Sequence, residues 1–570
     1  MSAVKSANLC WGHRYMWLRM HQLPPEHQHE SHILLRFQIP PSLTLANIRA
    51  MLLSLTRRHE ALRTTFDVDG GPRQRVHAPG PWPIVQASVE RDGTPRPADV
   101  IEELTSRPFD LAAEWPIRAC VITRDGAPQQ VVIVFNHLAV DMWTLEKVEQ
   151  ELWAQAQGLI SRRPASLPPV RQQPTDLARW ESSADAAVPA SRAMAYWEEQ
   201  ISRLPADPFA ARRRAAPPEE ARHATLTSPG LLEAGRRIAT RHKVWPSAVH
   251  VAAHTALMAA YTGQAALGQL AFSGNRAAHP YPDVLTCMFS PMLVGIDCSD
   301  DPPFSELLRR VTSGSEQAAR HAYVPYDEVV ELVSREGSRR GEPVRLGLEV
   351  NFLNQRTLSY RGRRTTFTWN RPPTAWTHHG GDTYLRIDEW RDAVVLALQA
   401  SSSVMDAGAV EAFLRGHEAL VLAHDDPATD LRISQVATLA GFDPAAGSTT
   451  APAAVPTAGS TTAPVATPTT MPAVTPEAAE DAVRALARAV CRVHGLARLD
   501  PSDSYVLAGG RVLRAPEVLA DLSDRGWQGL TPRLLAAPTP LKVLAGLLAP
   551  ARPVTGTAEP DRTTNQKLGV

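Results

Sequence analysis

Short apolar runs and amphipathic stretches alternate along the first three-quarters of the chain. Residues 45–59 place Ala, Leu and Ile on one side at helical spacing and predict a helix. Residues 62–66 then lead into a turn at Asp69-Gly70-Gly71. The β-branched run at 130–135 predicts a short buried strand. Residues 142–157 read as a helix with Trp143, Val148, Leu152 and Trp153 as apolar members, and 167–183, which carries prolines, reads as an irregular connection. Helices are expected at 191–204 and at 246–261, the second opened by a proline in its first turn. Further strands are expected at 267–272, 292–296, 346–352 and 393–400. Helices and strands interleave in both halves, so the expected fold class is α/β with α+β layering rather than a helical bundle.

The pattern breaks between Asp443 and Glu477. That stretch carries no charge, and the hexapeptide GSTTAP occurs twice, from Gly447 and from Gly459. Alternating Ala, Pro and Thr cannot bury a core and predict a tether, roughly 100 Å long if polyproline-like and roughly 30 Å if coiled. Beyond it, 477–550 predicts a small helical bundle. The strongest helix is at 478–493, with Ala482, Val483, Leu486, Ala487, Val490 and Val493 on its apolar side, and others are expected at 512–522 and 540–548. The expected organisation is an N-terminal lobe (1–180), a second lobe (181–443), a linker (444–476), the bundle (477–550) and a disordered polar tail (551–570).

Composition narrows the function. The 570 residues hold 59 Lys plus Arg and 59 Asp plus Glu, a net charge of zero that argues against a broad nucleic-acid-binding or anionic-membrane surface. Cys10, Cys120, Cys287, Cys298 and Cys491 have no CxxC spacing, which disfavours a disulfide scaffold or zinc ribbon. Residues 1–20 lack a signal-peptide core and the apolar run at 284–296 is too short to span a bilayer, so a cytoplasmic protein without membrane or nucleic-acid partners is expected. His378-His379-Gly-Gly-Asp382 lacks further ligand spacing, and no metal is expected. Trp143, Trp153, Trp180 and Trp197 are expected as core or lobe-interface anchors, and Arg212-Arg213-Arg214 as a solvated loop able to meet an acidic partner.

One local pattern carries chemistry. The strand at 130–135 is followed by Asn136-His137-Leu138-Ala139-Val140-Asp141-Met142. A histidine at a strand end is held by rigid backbone yet can face a cleft, and an aspartate four residues on can fix the local geometry through an ion pair.

The surrounding blocks resemble, in order, the condensation domains of nonribosomal peptide synthetases, members of the chloramphenicol acetyltransferase-like superfamily. Residues 136–142 match the second His and the Asp of that family's His-His-x-x-x-Asp-Gly motif. Arg58-His-Glu-Ala-Leu-Arg63-Thr-Thr-Phe66 is a full match to its RHExLRTxF block, and residues 11–17 resemble its first motif. Residues 176–180, 196–198, 274–276 and 321–327 resemble later blocks, so the likeness covers roughly residues 5–437. The resemblance implies two similar lobes forming a V around a tunnel, with His137 as the catalytic residue and Asn136, Asp141, Met142, Arg63 and Arg276 supporting the site. Arg276 is the expected ion-pair partner of Asp141. Asn136 replaces the motif's first His and can donate and accept in its place. Met142 replaces its Gly, and a thioether there narrows the channel. The block at 288–292 lacks the family's Asn after its Phe.

Residues 496–513 resemble the core of a peptidyl carrier domain, in which a Ser after Gly-Gly-x carries phosphopantetheine. Here Gly509-Gly510-Arg511 is followed by Val512, which has no nucleophilic oxygen, so a carrier-like but unloaded bundle is expected. The implied activity is a stand-alone condensation enzyme joining an acyl or aminoacyl thioester to an amine or alcohol. Donor and acceptor are carrier-borne or, for the acceptor, a free small molecule. The phosphopantetheine arm comes from separate carrier proteins, and no cofactor is covalently bound. A hydroxyl nucleophile gains about 10²–10⁴-fold from a general base, an amine less. The alternatives are a non-catalytic module that recruits carriers or tailoring enzymes, and transfer from free acyl-CoA.

Overall fold

The computed structural model describes residues 3–551 except 68–69, 90–95, 215–219, 278, 356, 374–380 and 443–475. All but the last residue of the expected linker, and all but the first of the expected tail, lie outside the described residues.

The run at 130–135 is the end of a longer strand, Ala127–Phe135. It lies second in a four-stranded sheet with Ile33–Gln38, Ile117–Arg124 and Ile84–Val89, in the order Ile33–Gln38, Ala127–Phe135, Ile117–Arg124, Ile84–Val89. Val131 to Phe135 are all buried, because both faces of the strand are covered. Ile133 and Phe135 pack with Leu52 and Leu55 of helix Leu45–Arg58 and Val148 and Leu152 of helix Met142–Ser161. Val132 packs on Ile101 of helix Pro97–Ser106, and Val134 on Tyr15 and Trp17 of helix Trp11–His21. A three-stranded antiparallel sheet, Ala3–Asn8, Arg73–His77 and Thr64–Asp67, flanks this lobe.

The second lobe is built on a seven-stranded mixed sheet in the order Ser290–Asp297, Ala266–Ser273, Leu348–Asn354, Thr383–Glu389, Val394–Ser401, Ala221–Ser228, Thr366–Asn370. Helix Pro246–Thr262 is buried along nearly its whole length after the first turn. Its alanines let helices Pro229–His242, Phe304–Arg320, Ala407–Ala423 and Ile433–Ala440 approach closely. The two lobes are consistent with the chloramphenicol acetyltransferase-like fold.

Three expectations are corrected. Residues 167–183 are not irregular throughout: they contain helix Pro174–Glu181, whose proline sits in the first turn where its missing N–H is no loss. The helix expected at 191–204 begins at Ala184 and runs through Pro189. The helix expected from 512 begins at Ala515, after a single 3₁₀ turn at Val512–Arg514, because Pro516 fits only the first turn.

The C-terminal bundle comprises helices Pro476–His494, Ala515–Asp524, Pro532–Ala536 and Leu541–Ala545. Its core of Leu486, Val490, Tyr505, Val518, Leu522 and Leu544 takes in Leu18 of the N-terminal helix, with Tyr326 and Val330 of helix Tyr326–Arg340 against it. The bundle is therefore seated across one side of the lobe seam. No helix among the described residues is long and apolar enough to cross a membrane.

Candidate active site

The site forms where the two lobes close on one another. Helix Trp11–His21 runs so near the second lobe that a Cβ on Gly12 would lie 2.3 Å from the Cys287 carbonyl oxygen, so only glycine fits there. Arg14 pairs with Asp327 at 3.2 Å, and His13 Nε2 lies 2.7 Å from Thr286 Oγ1.

His137 lies two residues beyond the end of strand Ala127–Phe135, in a turn before helix Met142–Ser161. The imidazole is half-buried. Its Nδ1 lies 3.8 Å from Cys287 Sγ and its ring centroid 6.0 Å from that of Phe289. Enclosure by protein lowers its pKa below the ordinary histidine value, opposed by backbone hydrogen bonds and the Asp141 charge. The ring is thus neutral near pH 7 and able to accept a proton. Cys287 is fully buried, and the same enclosure, reinforced by Asp141, pushes its thiol well above the usual range. It is a neutral neighbour rather than a competing nucleophile.

Asp141 caps helix Met142–Ser161. Its Oδ1 accepts from Thr144 N at 2.9 Å and Thr144 Oγ1 at 3.0 Å, which ties down the helix start. Oδ2 accepts from Arg276 Nη2 and from Met288 N, each at 3.0 Å, which ties the first lobe to the second. Arg276 also donates to the carbonyls of Pro282, Val284 and Thr286 at 2.8–3.0 Å, and its guanidinium lies 4.0 Å from the centroid of the Trp143 ring. The structure brings His137, Asp141 and Arg276 to one seam, but the ion pair faces the fold rather than the imidazole. Its chemistry is that of a clasp.

Asn136 is buried, accepts from Leu138 N at 3.0 Å through Oδ1, and points Nδ2 at Met20 Sδ, 3.7 Å away. It shapes the turn that carries His137. Met142 is 49% exposed, so its side chain is not packed into the seam. Arg63 lies apart from the imidazole: buried in the first lobe, it donates to the carbonyls of Thr56 and His77. Val512 is 2% exposed, and its N–H donates to Glu331 Oε1 at 3.1 Å.

Other sequence expectations fare unevenly. Trp197 is fully buried, Trp180 packs with Trp11 and His279 between the lobes, and Trp143 lies under Arg276. Trp153 is 39% exposed and only edges the core at Phe37. Arg212, Arg213 and Arg214 are not free for a partner: they bind the Tyr261 carbonyl, the Asp207 and Asp382 carboxylates, and Asp406. His378 and His379 lie outside the described residues.

The sequence did not assign Cys287, Phe289 or Glu181 to the site, naming the first only among the cysteines and the second only within the block at 288–292; Cys287 and Phe289 stand beside His137. Glu181 is buried, accepts from Trp11 N at 3.0 Å and from the Tyr323 hydroxyl, and burial raises its pKa to about 8. An acid closing the short helix after Trp180 is the only trace it leaves in the sequence.

A partly buried neutral imidazole thus stands at the seam of two α/β lobes, close to an aspartate–arginine clasp. The sequence profile described as Condensation domain matches residues 15–371, and the chain belongs to the condensation-domain family. It is 25% identical over 325 residues to chondramide synthase cmdD of Chondromyces crocatus, covering 55% of this chain and 8% of that protein. It is 26% identical over 311 residues to the phosphinothricin tripeptide synthetase PhsC of Streptomyces viridochromogenes, covering 53% of this chain and 29% of the relative. The chain thus spans less than a third of either relative's length. The fold is shared with the condensation domain from the monacolin K polyketide synthase MokA (TM-score 0.60, 17% identity, 76% of this chain and 100% of that one). It is shared also with the X-domain in its complex with OxyB from teicoplanin biosynthesis (TM-score 0.59, 20% identity, 76% and 96%). Condensation domains work with carrier-protein domains in nonribosomal peptide synthetases.

Proposed function

We propose that this chain is a stand-alone condensation enzyme that transfers an acyl or aminoacyl group from a carrier-borne thioester to an amine or alcohol. The observation that carries this reading is His137, a partly buried neutral ring at the lobe seam, in the turn that Asp141 closes by capping the next helix. The acceptor's nitrogen or oxygen attacks the thioester carbonyl and forms the new C–N or C–O bond. The C–S bond breaks, and the carrier thiol leaves with one proton. His137 takes the proton from the acceptor as the bond forms and returns it to the departing sulfur, so it is regenerated each cycle. Asp141 and Arg276 take no proton and hold the turn in register.

The C-terminal bundle is read as a carrier-like domain that has lost its loading residue and is docked rather than loaded. Val512 at the attachment position is buried, and Arg511 lies 3.3 Å from Glu331 beside it. The phosphopantetheine arm is then supplied by separate carriers in the cytoplasm.

The test is single-turnover acyl transfer from loaded carriers with His137→Ala. The expected result is a large loss of rate with an unchanged melting curve. Wild-type rate in that variant overturns the enzymatic reading and leaves the recruitment role that Asn136, Met142 and Val512 suggest.

A further inference from the structure

One turn of the bundle does most to seat it on the lobes. The 3₁₀ turn Val512–Arg514 lies between helix Trp11–His21 of the first lobe and helix Tyr326–Arg340 of the second. Val512 N–H donates to Glu331 Oε1 at 3.1 Å, and Arg511 Nε stands 3.3 Å from the same oxygen, with Arg511 Nη2 3.9 Å from Glu328. Leu513 packs against the cluster that holds Tyr15 and Trp17, and Leu18 enters the bundle core with Tyr505 and Val512. Ser504 Oγ lies 3.5 Å from Ser338 Oγ. These bundle residues all fall within 496–513, the stretch that resembles a carrier core.

Beyond that turn the fit is poorer. A cavity of about 200 Å³ opens between the second lobe and the bundle, walled by Val329, Val330, Val333 and Leu346 and by charged groups. Arg345, half-buried, reaches it from the second lobe, and Arg533, exposed at its mouth, from the bundle. Asp207 and Asp382 beside them are bound by Arg213. Enclosure, and then the Arg345 charge, lower the pKa of Arg533. Glu349 also lines the cavity, with Arg19 at 3.5 Å from its Oε1. Like charges therefore oppose one another across this contact, and the unfilled volume forfeits the dispersion energy of a close fit. A contact that is specific at one turn and loose beyond it can be made and broken.

With the bundle in place the seam is shut on this side. Tyr326 packs on Tyr15 at 5.0 Å between centroids and Tyr15 on Phe289 at 5.9 Å, so packed rings fill the space between the seat and His137. Leu513 packs against the same cluster.

We infer that helices Trp11–His21 and Tyr326–Arg340 form a docking face for a carrier protein, and that the bundle holds this face as a displaceable competitor, which makes the docked chain an autoinhibited form. The partner is a helical carrier whose modified serine stands where the bundle has Val512 and follows a basic side chain that meets Glu328 and Glu331. A tethered competitor acts at an effective concentration on the order of millimolar, so the partner needs contacts that the bundle lacks, and its loaded arm supplies them. The inference rests on the carrier-like and acyl-transfer readings above and adds the regulation of that site.

Undocking is read in the full chain carrying Cys491→Ser and Leu513→Cys, as the rate of maleimide labelling, since the other four cysteines are buried. Arg511 is 54% exposed, so Arg511→Glu loosens the seat without emptying a core. It is expected to speed labelling by roughly tenfold. In the chain with its native cysteines and Leu513, the same substitution is expected to lower KM for a loaded carrier by a similar factor and leave kcat unchanged, as removal of a competitor does. Glu331→Gln alters the face itself, and is expected to speed labelling without lowering KM. Saturating loaded carrier is expected to speed labelling of the Leu513→Cys chain, because it displaces the bundle. Labelling that stays slow in Arg511→Glu, faster labelling with KM unchanged or raised, or carrier binding with no rise in labelling overturns the inference. Carrier-driven labelling without turnover in any variant upholds the docking face and overturns the acyl-transfer reading instead.

Discussion

At the lobe seam, Asp141 receives four hydrogen bonds from Thr144, Arg276 and Met288, and both terminal nitrogens of Arg276 are engaged. At the cavity under the bundle, Arg345 and Arg533 stand beside Asp207 and Asp382, whose carboxylates Arg213 binds, and one oxygen of Glu349 has no donor among the described residues. Charged side chains meet in both places, buried at the seam but half-buried (Arg345) and exposed (Arg533) at the cavity. The difference lies in how many internal partners each group has, although Arg276 Nε, like Glu349 Oε2, has no hydrogen-bond partner among the described residues. A charge whose partners are all internal works for the fold, because nothing is left with which to recognise a ligand. A charge left short of partners under partial cover is costly unless something from outside completes it. His137 sits between these extremes: its turn runs into the Asp141 cap, while its side chain is only partly buried.

The largest effect expected to sharpen this contrast is catalytic. His137→Ala should lower acyl transfer by about 10²–10⁴-fold with no change in thermal midpoint, because the ring acts on substrate rather than on the fold. Comparable loss of midpoint and rate would move His137 into the saturated, structural class.

Asp141→Ala should do the opposite. It leaves the buried Arg276 without its anion and the helix without its cap, so a destabilisation of about 3–5 kcal/mol is expected in urea unfolding. An unfolding midpoint within error of wild type would mean the clasp is dispensable.

Glu181 supplies an intermediate, pH-dependent case. Its folded pKa of about 8 stands above the ordinary 4.5. The unfolded carboxyl therefore ionises first, and the stability this group contributes is full below about 4.5 and is lost as pH rises through about 8, at up to about 1.4 kcal/mol per pH unit. Glu181→Gln keeps one oxygen to accept from Trp11 N–H, turns the other into an amide that can donate to the Tyr323 oxygen, and removes the titration. Its stability should therefore fall less than wild type between about pH 5 and about pH 8. Parallel pH profiles for the two proteins would show that Glu181 is not held neutral.

The smallest expected effect is none. Incubation with a phosphopantetheinyl transferase and coenzyme A should leave the intact mass unchanged, since Val512 has no hydroxyl and its backbone is bonded to Glu331. A mass gain equal to the prosthetic arm would show that another side chain of the bundle is loaded.

Elements with strong periodicity or an unbroken apolar run were legible. The strand ending at Phe135 and the helices Leu45–Arg58, Met142–Ser161 and Pro246–Thr262 fall within a few residues of expectation, because burial there demands the pattern that announces it. Strands such as Ala221–Ser228 and Thr383–Glu389 were not, because their polar alternation becomes a strand only when neighbours supply the hydrogen-bonding edges. Proline misled at Pro174 and Pro189, read as breaks where helices run. In the site, residues 136–142 were visible because they are contiguous. Cys287 and Phe289, about 150 positions away, and the pairing of Arg345 with Arg533 were not, because nothing in a linear pattern sets their separation.

From the order of residues alone came the alternating α/β character, the charge-free break before the bundle, the condensation-domain blocks with His137 and Asp141, and the chemical silence of Val512. These are local properties: side-chain periodicity, composition, and the presence or absence of a nucleophilic oxygen. Only the folded chain decided that Asp141 is spent on the clasp, that His137 is a partly buried neutral ring at the seam, and that the bundle covers a cavity against the second lobe. Those depend on which polar atoms find partners after distant segments meet, and hydrogen-bond saturation is a property of the assembled interior.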